Sequence, residues 1–426
     1  MRILLYSYNY HPEPIGIAPL MTELAEGLVA RGHEVRVVTA MPNYPQREIY
    51  PAYRGRLYSE EEINGVRIQR CYVAIRPNPG LVTRIMLDGS FCVLSIFQAL
   101  RGWRPDVILS TSPSLPASVP VALLKLFYGC PSVLSLQDIL PEAAIRTGLL
   151  SNKVAIRVFE LLEKFAYANA DAISVITDSF TTNLVNKGVP RRKIKRISNW
   201  VDTHFVRPMP KQDNSFRQQH GLENKFVVLY SGNIARTQGV RTIVRAAGFL
   251  KHIPNIEFVI VGEQRQLGDL EDLRDELGLD NVTLLPFASR QELPTMLAAA
   301  DVSLILQKAN MVGFNMPSKT MLLLASGRPI IASVPDSGSA AATIRESGGG
   351  LVVTPERPAV LAEAVEKIYN NPGEGQKLGE QGRKFAIANY SFEQALEAYE
   401  GLLTQTAQRS VAQPHVQPIK DPKPYS

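Results

Sequence analysis

The sequence predicts an α/β protein built from two doubly wound parallel-sheet domains facing each other across a cleft. The chain has 426 residues, and a single hydrophobic core rarely grows past about 250–300 residues. In both halves, short β-branched runs alternate with segments of helical periodicity, the βαβα order of a parallel sheet covered by helices on both faces. That alternation breaks once, in a polar, proline-bearing stretch over Asp202–Lys225, and then restarts.

The elements follow in order. Arg2–Tyr6 is a strand. Ala18–Ala30 has apolar residues at helical spacing and stops before Gly32, a helix-ending signal. Glu34–Thr39 alternates and is the second strand. Val66–Tyr72, Val107–Ser110, Ser132–Leu136 and Ala172–Ile176 read as further strands. Val82–Leu100, Ala117–Phe127, Lys153–Ala168 and Ser179–Asn186 read as helices. Asp202–Lys225 reads as a linker. After it come a strand at Phe226–Ser231, a helix at Val240–Lys251, and strands at Glu257–Val261, Val282–Leu285, Val302–Leu306, Pro329–Ala332 and Gly350–Val353. The expected organisation is a Rossmann-like domain over residues 1–205, a second over 206–375, closing helices over 376–404 and a proline-bearing disordered tail over 405–426.

Composition narrows the class. Hydrophobic content of 45% and charged content of 20% are those of a globular chain and exclude disorder as the main state. The net charge is +6. The basic run Arg191-Arg192-Lys193-Ile194-Lys195-Arg196 is either a solvated turn before a strand or a surface for anionic phospholipid. It has no interleaved aromatic residues, and no nucleic-acid signature accompanies it, so nucleic acid is not expected. Cys71, Cys92 and Cys130 sit in apolar surroundings and match no metal spacing, which suits buried free thiols in a reducing cytoplasm. The N-terminus enters a strand at once, without signal-peptide architecture. Val107–Leu124 carries three prolines and is a poor spanning helix; Ile85–Leu100 reads as a core or interfacial helix. A cytoplasmic protein is expected, with peripheral contact at the inner face of the plasma membrane as an option.

Ligands of open parallel sheets bind at the carboxyl ends of strands. The loop after the first strand, Ser7–Pro19, lacks the Gly-x-Gly-x-x-Gly of a dinucleotide site. It has one glycine, Gly16, before a helix start whose N–H groups can face an anion, and His11 as a cleft-lining candidate. After Ser132–Leu136 come Asp138 and Glu142. Asp138 can orient or deprotonate a hydroxyl, or cap a helix; Glu142 can join it or answer a helix dipole. In the second half, Gly232-Asn233-Ile234-Ala235-Arg236-Thr237-Gln238-Gly239 sits between a strand and a helix and suits a diphosphate, with Arg236 as its cation. Glu263 ends the next strand toward the same side or is simply solvated. Gly313–Pro329 carries Asn315, Pro317, Ser318 and Lys319. A lysine in the first turn of a helix opposes the dipole, and a bound anion offsets that. No metal spacing, nucleophile elbow or P-loop is present.

In order and spacing, these motifs resemble the family-4 retaining glycosyltransferases of the GT-B fold over about the first 400 residues. "ARGHEVRVVTA", "RISNWVDTHFVRP", "YSGNIARTQGV", "IVGE" and "MPSKTMLLLASGRPI" carry the resemblance. Asn233, Gln238 and the Pro-Ser-Lys run look closest to colanic-acid and exopolysaccharide enzymes. The resemblance implies sugar transfer from a nucleotide-sugar to a lipid-linked saccharide with retained configuration, no cofactor and no required metal. It implies that Gly16, Lys319 and the Gly232 loop hold the donor diphosphate, with Asn233, Arg236, Gln238, Glu263, Asn315 and Ser318 around it. It puts Asp138 near the family's acceptor-side polar residue, often a histidine; His11 and Glu142 are read from their loops as its acceptor-side companions, and Asp138 and Lys319 are the catalytic candidates. The chain departs from the family in two respects: Asn233 and Gln238 stand where many members carry Arg and Lys, and Lys308 through Pro335 contains no acidic residue, where many members have two glutamates spaced by seven. A nucleotide-sugar 2-epimerase on the same scaffold, or a degenerate scaffold subunit, are the alternative readings.

Overall fold

A computed structural model of the chain describes all residues except 15, 45, 77–80, 102, 113, 143–144, 146–151, 236, 311–318 and 413–426. The elements in chain order are β1 (Arg2–Tyr6), α1 (Ala18–Ala30), β2 (Glu34–Ala40), β3 (Tyr58–Ile63), β4 (Val66–Cys71), α2 (Leu81–Ala99), β5 (Val107–Thr111), α3 (Ser118–Tyr128) and β6 (Ser132–Leu136). Then come α4 (Lys153–Asn169), β7 (Ala172–Val175), α5 (Asp178–Asn186), β8 (Ile194–Arg196), α6 (Ser215–Gln219), β9 (Phe226–Ser231), α7 (Arg241–Phe249), β10 (Ile256–Gly262) and α8 (Gln264–Glu276). The chain continues through β11 (Val282–Pro286), α9 (Leu293–Ala299), β12 (Val302–Leu306), α10 (Lys319–Ala325), β13 (Ile330–Ser333), α11 (Ser339–Ser347), β14 (Gly350–Val353), α12 (Pro358–Asn370), α13 (Pro372–Tyr390) and α14 (Phe392–Ala412).

Two units result. One holds Met1–Ile176, Phe180–Ile197 and the stretch from Leu396; the other holds Thr177–Ser179 and Ser198–Ala395. The first has an eight-stranded sheet in the order β3-β4-β2-β1-β5-β6-β7-β8. All its pairs are parallel except β3 with β4. The second has a six-stranded parallel sheet in the order β11-β10-β9-β12-β13-β14. The strands are apolar on both faces because both faces are covered. In β9, Val227 and Leu229 enter one core while Val228 and Tyr230 enter the other. Each sheet reverses direction at its first strand, between β1 and β5 and between β9 and β12. Loops diverge at such a switch point and leave a crevice there.

Four expectations are corrected. The strand β3 was not foreseen; it pairs back on β4 through Asn64 and Gly65, both at positive φ (51° and 77°), as a two-residue hairpin turn requires. Part of the basic run Arg191–Arg196 is itself a strand, β8, and its Lys193 Nζ donates to the carbonyls of Ala168 and Ala170 (3.2 and 2.9 Å) at the end of α4. The stretch Asp202–Lys225 is more than a linker: α6 buries Phe216 and Arg217, and Arg217 pairs with Asp301 at 2.5 Å. The tail expected from residue 405 is helical to Ala412.

That last helix also changes the domain division, because α14 returns to the first unit. Its Tyr399 hydroxyl hydrogen-bonds Ser135 Oγ (2.9 Å) and Ser174 Oγ (3.3 Å), on β6 and β7. Its Glu400 pairs with Arg31 and His33 after α1. Cys71 and Cys130 are buried and Cys92 is half-buried, all as free thiols. Burial raises their pKa values, to about 12 for Cys92 and about 11 for Cys130.

Candidate active site

In the second unit, the residues beside the β9–β12 switch point form one cluster. The loop leaving β9 starts at Gly232, whose φ is +148° and whose N–H donates to Val261 O on β10 (3.0 Å). Lys319 opens α10, the helix that follows β12. Its Nζ stands 3.6 Å from the centroid of the Tyr230 ring, a cation–π contact. A Cβ on Gly232 would lie 3.4 Å from that Nζ, so glycine leaves room for the ammonium against the backbone. The Tyr230 hydroxyl donates to Asn233 O (2.7 Å), which fixes the ring beneath the lysine. The Nζ is buried and has no hydrogen-bond partner among the described residues. Burial pulls the Lys319 pKa down to about 7. An ammonium in this position has three donors and no acceptor, and an anionic ligand supplies what is missing.

The rest of the Gly232–Gly239 loop is anchored from behind. Ile234 N–H donates to Gln266 Oε1 (3.1 Å), and its side chain packs over Gly262, where a Cβ would lie 2.8 Å from Ile234 Cγ1. Lys308 N–H donates to Thr237 O (2.9 Å), linking the loops after β9 and β12. Gln238 is half-buried, and its Oε1 has no partner among the described residues. The Asn233 side chain is exposed. Glu263 is exposed at the start of α8 and makes no side-chain cap, which is the solvated reading. Arg236, Asn315 and Ser318 lie outside the described residues. Glu356, which the sequence reading overlooked, accepts Ala309 N–H (3.0 Å) and sits beside Gly239.

In the first unit, the loop after β1 is held by a buried acid not singled out in the sequence. Glu13 is 4% exposed and accepts from Asn43 N–H (2.8 Å), Tyr44 N–H (2.9 Å) and Asn9 Nδ2 (2.6 Å). Arg70, fully buried, donates to His11 O and to Glu61 Oε1, both at 2.5 Å. These bonds fix the main chain at His11, whose side chain is exposed. Gly16 has φ +72° and nothing within 4 Å of where a Cβ would stand, so its glycine answers backbone angle rather than crowding within the chain. Beyond β6, Asp138 is half-buried and makes no hydrogen bond or ion pair among the described residues. Burial raises its pKa to about 6. Glu142, in contrast, has partners. It accepts from Asn183 Nδ2 (3.0 Å) on α5 and pairs with Lys187 Nζ (2.9 Å) just beyond that helix.

Known proteins resemble this chain in sequence and in architecture. Residues 16–200 match the Glycosyl transferase 4-like domain, and residues 212–385 match Glycosyl transferases group 1. The chain is 34% identical over 334 residues to the protein named as the colanic acid biosynthesis glycosyl transferase WcaI of Escherichia coli (strain K12), covering 77% of this chain and 82% of that one. It belongs to the family-4 glycosyltransferases of the GT-B fold. A second relative, the glycosyltransferase WbjE of Pseudomonas aeruginosa, is 29% identical over 78% of this chain and 83% of its own. Among solved structures, sucrose-phosphate synthase from Thermosynechococcus elongatus superposes with a TM-score of 0.74 at 19% identity, covering 96% of this chain and 100% of that one. HepE of Anabaena in complex with UDP gives 0.71 at 18%, covering 95% and 100%. At these identities the structures establish the fold.

For this glycosyltransferase, the sequence-predicted residues of the second unit fall into two sets. Among the described ones, Lys319 and Gly232 meet at the switch point with Asn233 and Gln238 on the adjoining loop, while Glu263 stands exposed at a helix start. Tyr230 escaped the sequence reading because a tyrosine ending an apolar strand looks like core. Its position one residue before the Ser231-Gly232 turn was the available signal.

Proposed function

We propose that this glycosyltransferase moves a hexosyl or deoxyhexosyl unit from a nucleotide-sugar to a lipid-linked saccharide, with retained anomeric configuration and without a metal, in exopolysaccharide or surface polysaccharide synthesis. One observation carries the donor reading: a buried Lys319 Nζ, without a hydrogen-bond partner among the described residues, set against Tyr230 and Gly232 at the second sheet's switch point. As the bond from the anomeric carbon to the diphosphate oxygen breaks, negative charge grows on the leaving phosphate. A preorganised cation at that oxygen stabilises the transition state more than the ground state. This protein-borne cation is the reason to expect metal independence. The solved relative HepE was crystallised with UDP and with UDP-glucose, which supports a nucleotide-sugar as the donor class. On the acceptor side, Asp138 is the candidate to orient the attacking hydroxyl or take its proton. The likeness to the colanic acid protein WcaI supports a polysaccharide acceptor.

The test is purified protein incubated with a panel of nucleotide-sugars and lipid-diphosphate saccharides in the presence of EDTA. Release of nucleotide and a product whose early anomeric NMR signal matches the donor's configuration are expected. Inverted product defeats the retaining assignment, and loss of activity in EDTA defeats metal independence. If no donor of the panel is turned over and no nucleoside diphosphate binds, the donor-site reading falls.

A further inference from the structure

The helices α2, α3 and α4 lie side by side on one face of the first sheet. Each strand-to-strand crossover that they make runs in the same direction across the sheet order, so right-handed connections put all three on the same side. Their inward faces agree: Phe91 of α2 and Val121 and Leu124 of α3 pack on Leu4 and Tyr6, and Tyr167 of α4 packs on Leu134 and Leu136.

Their outward faces are unusual. In α2 from Ile85 onward, every exposed residue is apolar or glycine: Ile85, Met86, Gly89, Val93 and Phe97. The one acid of that helix, Asp88, is buried and accepts from Ser114 Oγ (3.3 Å). In α3, all four exposed residues are apolar, with Leu126 81% and Phe127 69% exposed. In α4, Val154, Val158, Leu161 and Phe165 recur at helical spacing and are exposed. A monomer in water rarely leaves three adjacent helices with such stripes, because contiguous exposed apolar patches mark interaction surfaces. The α4 stripe is edged by a second one: Lys153, Arg157 and Lys164 are all exposed at helical spacing, against a single exposed acid, Glu160.

We infer that this three-helix face docks on an anionic phospholipid surface, with the aliphatic and phenylalanine side chains entering the acyl boundary and the α4 cations meeting headgroup phosphates. The charge pattern selects this occupant. A second copy seated on the same face would bring its own row of cations to the interface, whereas an anionic bilayer neutralises the row. The stripes also offer few hydrogen-bonding groups of the kind that fix a protein partner's register. The inference deepens the lipid-linked acceptor reading, because the face belongs to the unit that carries His11 and Asp138, but it stands on the surface alone. Among the described residues, no helix is long and apolar enough to cross a membrane, so the contact is interfacial.

Co-sedimentation with vesicles tests it, using pure phosphatidylcholine and equal parts phosphatidylcholine and phosphatidylglycerol. The full chain is expected to partition onto the mixed vesicles and less onto the neutral ones. Exchanging Lys153, Arg157 and Lys164 for Gln lowers the partition coefficient about fivefold per residue. The set Leu126→Ser, Phe127→Ser and Leu161→Ser abolishes it, while thermal unfolding and nucleoside diphosphate binding stay as in the parent. Because nucleotide binding is read separately, loss of vesicle binding and failure of the donor site are told apart. No partition onto anionic vesicles, or partition that the serine set leaves unchanged, overturns the inference. So does a dimer in the parent that the serine set dissolves, which would make a second copy the occupant.

Discussion

Lys319 Nζ sits 3.6 Å above the Tyr230 ring with its proton donors facing no acceptor among the described residues. A cation held this way is poised between charged and neutral, and its pKa near 7 expresses that balance. A bound diphosphate restores the charged form. At about pH 8, nucleoside diphosphate binding should therefore take up close to one proton, read from the dependence of calorimetric heat on buffer ionisation. Above about pH 7 the affinity should fall by up to tenfold per unit. Lys319→Arg flattens this profile, and Lys319→Ala lowers affinity by about 10–100-fold. For the unliganded protein the sign is the reverse of a salt bridge. The unfolded lysine titrates near 10.4, so between about pH 7 and that value the unfolded chain binds more protons. Stability should rise with pH across that window, and Lys319→Met should remove the rise.

Asp138 offers a second pH signature. Its folded pKa of about 6 lies above the ordinary value near 3.9. The native state holds its proton across that window while the unfolded chain loses it, so this group's contribution to stability falls as pH rises from about 4 to 6. Denaturant melts of Asp138→Asn should lack that fall. If Asp138 acts as base, kcat/KM climbs to a plateau above about pH 6, and Asp138→Asn lowers kcat by about 100-fold or more. A variant with full kcat would remove Asp138 from the chemistry.

Gly262 and Ile234 interlock. A methyl on Gly262 would meet Ile234 Cγ1 at 2.8 Å, so Gly262→Ala should push Ile234 and the Gly232 loop away from β10. A loss of about 1–3 kcal/mol by chemical denaturation, together with a higher KM for donor, is expected. Adding Ile234→Ala should recover most of the KM.

Tyr399 joins α14 to the first sheet through Ser135 and Ser174. Tyr399→Phe leaves buried hydroxyls short of a partner and should cost about 1–2 kcal/mol, measured as a shift in urea midpoint. Donor binding should be unchanged, since the contact lies in the other unit.

Much of the fold was legible because parallel strands buried on both faces are near-continuous apolar runs. β1, β9 and β12 stand out for that reason. The elements that escaped were those whose signal is weak or local. β3 reads Tyr-Ser-Glu-Glu-Glu-Ile, an acidic stretch that only pairing with β4 makes a strand. α6 is five residues long, too short for periodicity to show. At the candidate site, Lys319 and Gly232 were visible as a cation beside a helix start and a glycine in a polar loop. The sequence offers Glu142 as an acceptor-side group or a helix-dipole partner, and nothing in it shows that Lys187, 45 residues later, engages it.

The sequence alone determined the alternation of strands and helices, the restart that makes two domains, and the glycine and lysine types at the donor loops. These follow from local backbone preference and hydrophobic period, which neighbouring residues encode. Tertiary structure decided which polar groups are spent and which are left over. Lys193 caps a helix, Glu13 and Arg70 pin a loop, Glu142 pairs with Lys187, and Lys319 and Asp138 have no partner among the described residues and carry shifted pKa values. Burial and long-range partners set those outcomes, and both depend on how distant segments pack rather than on the order of residues along the chain.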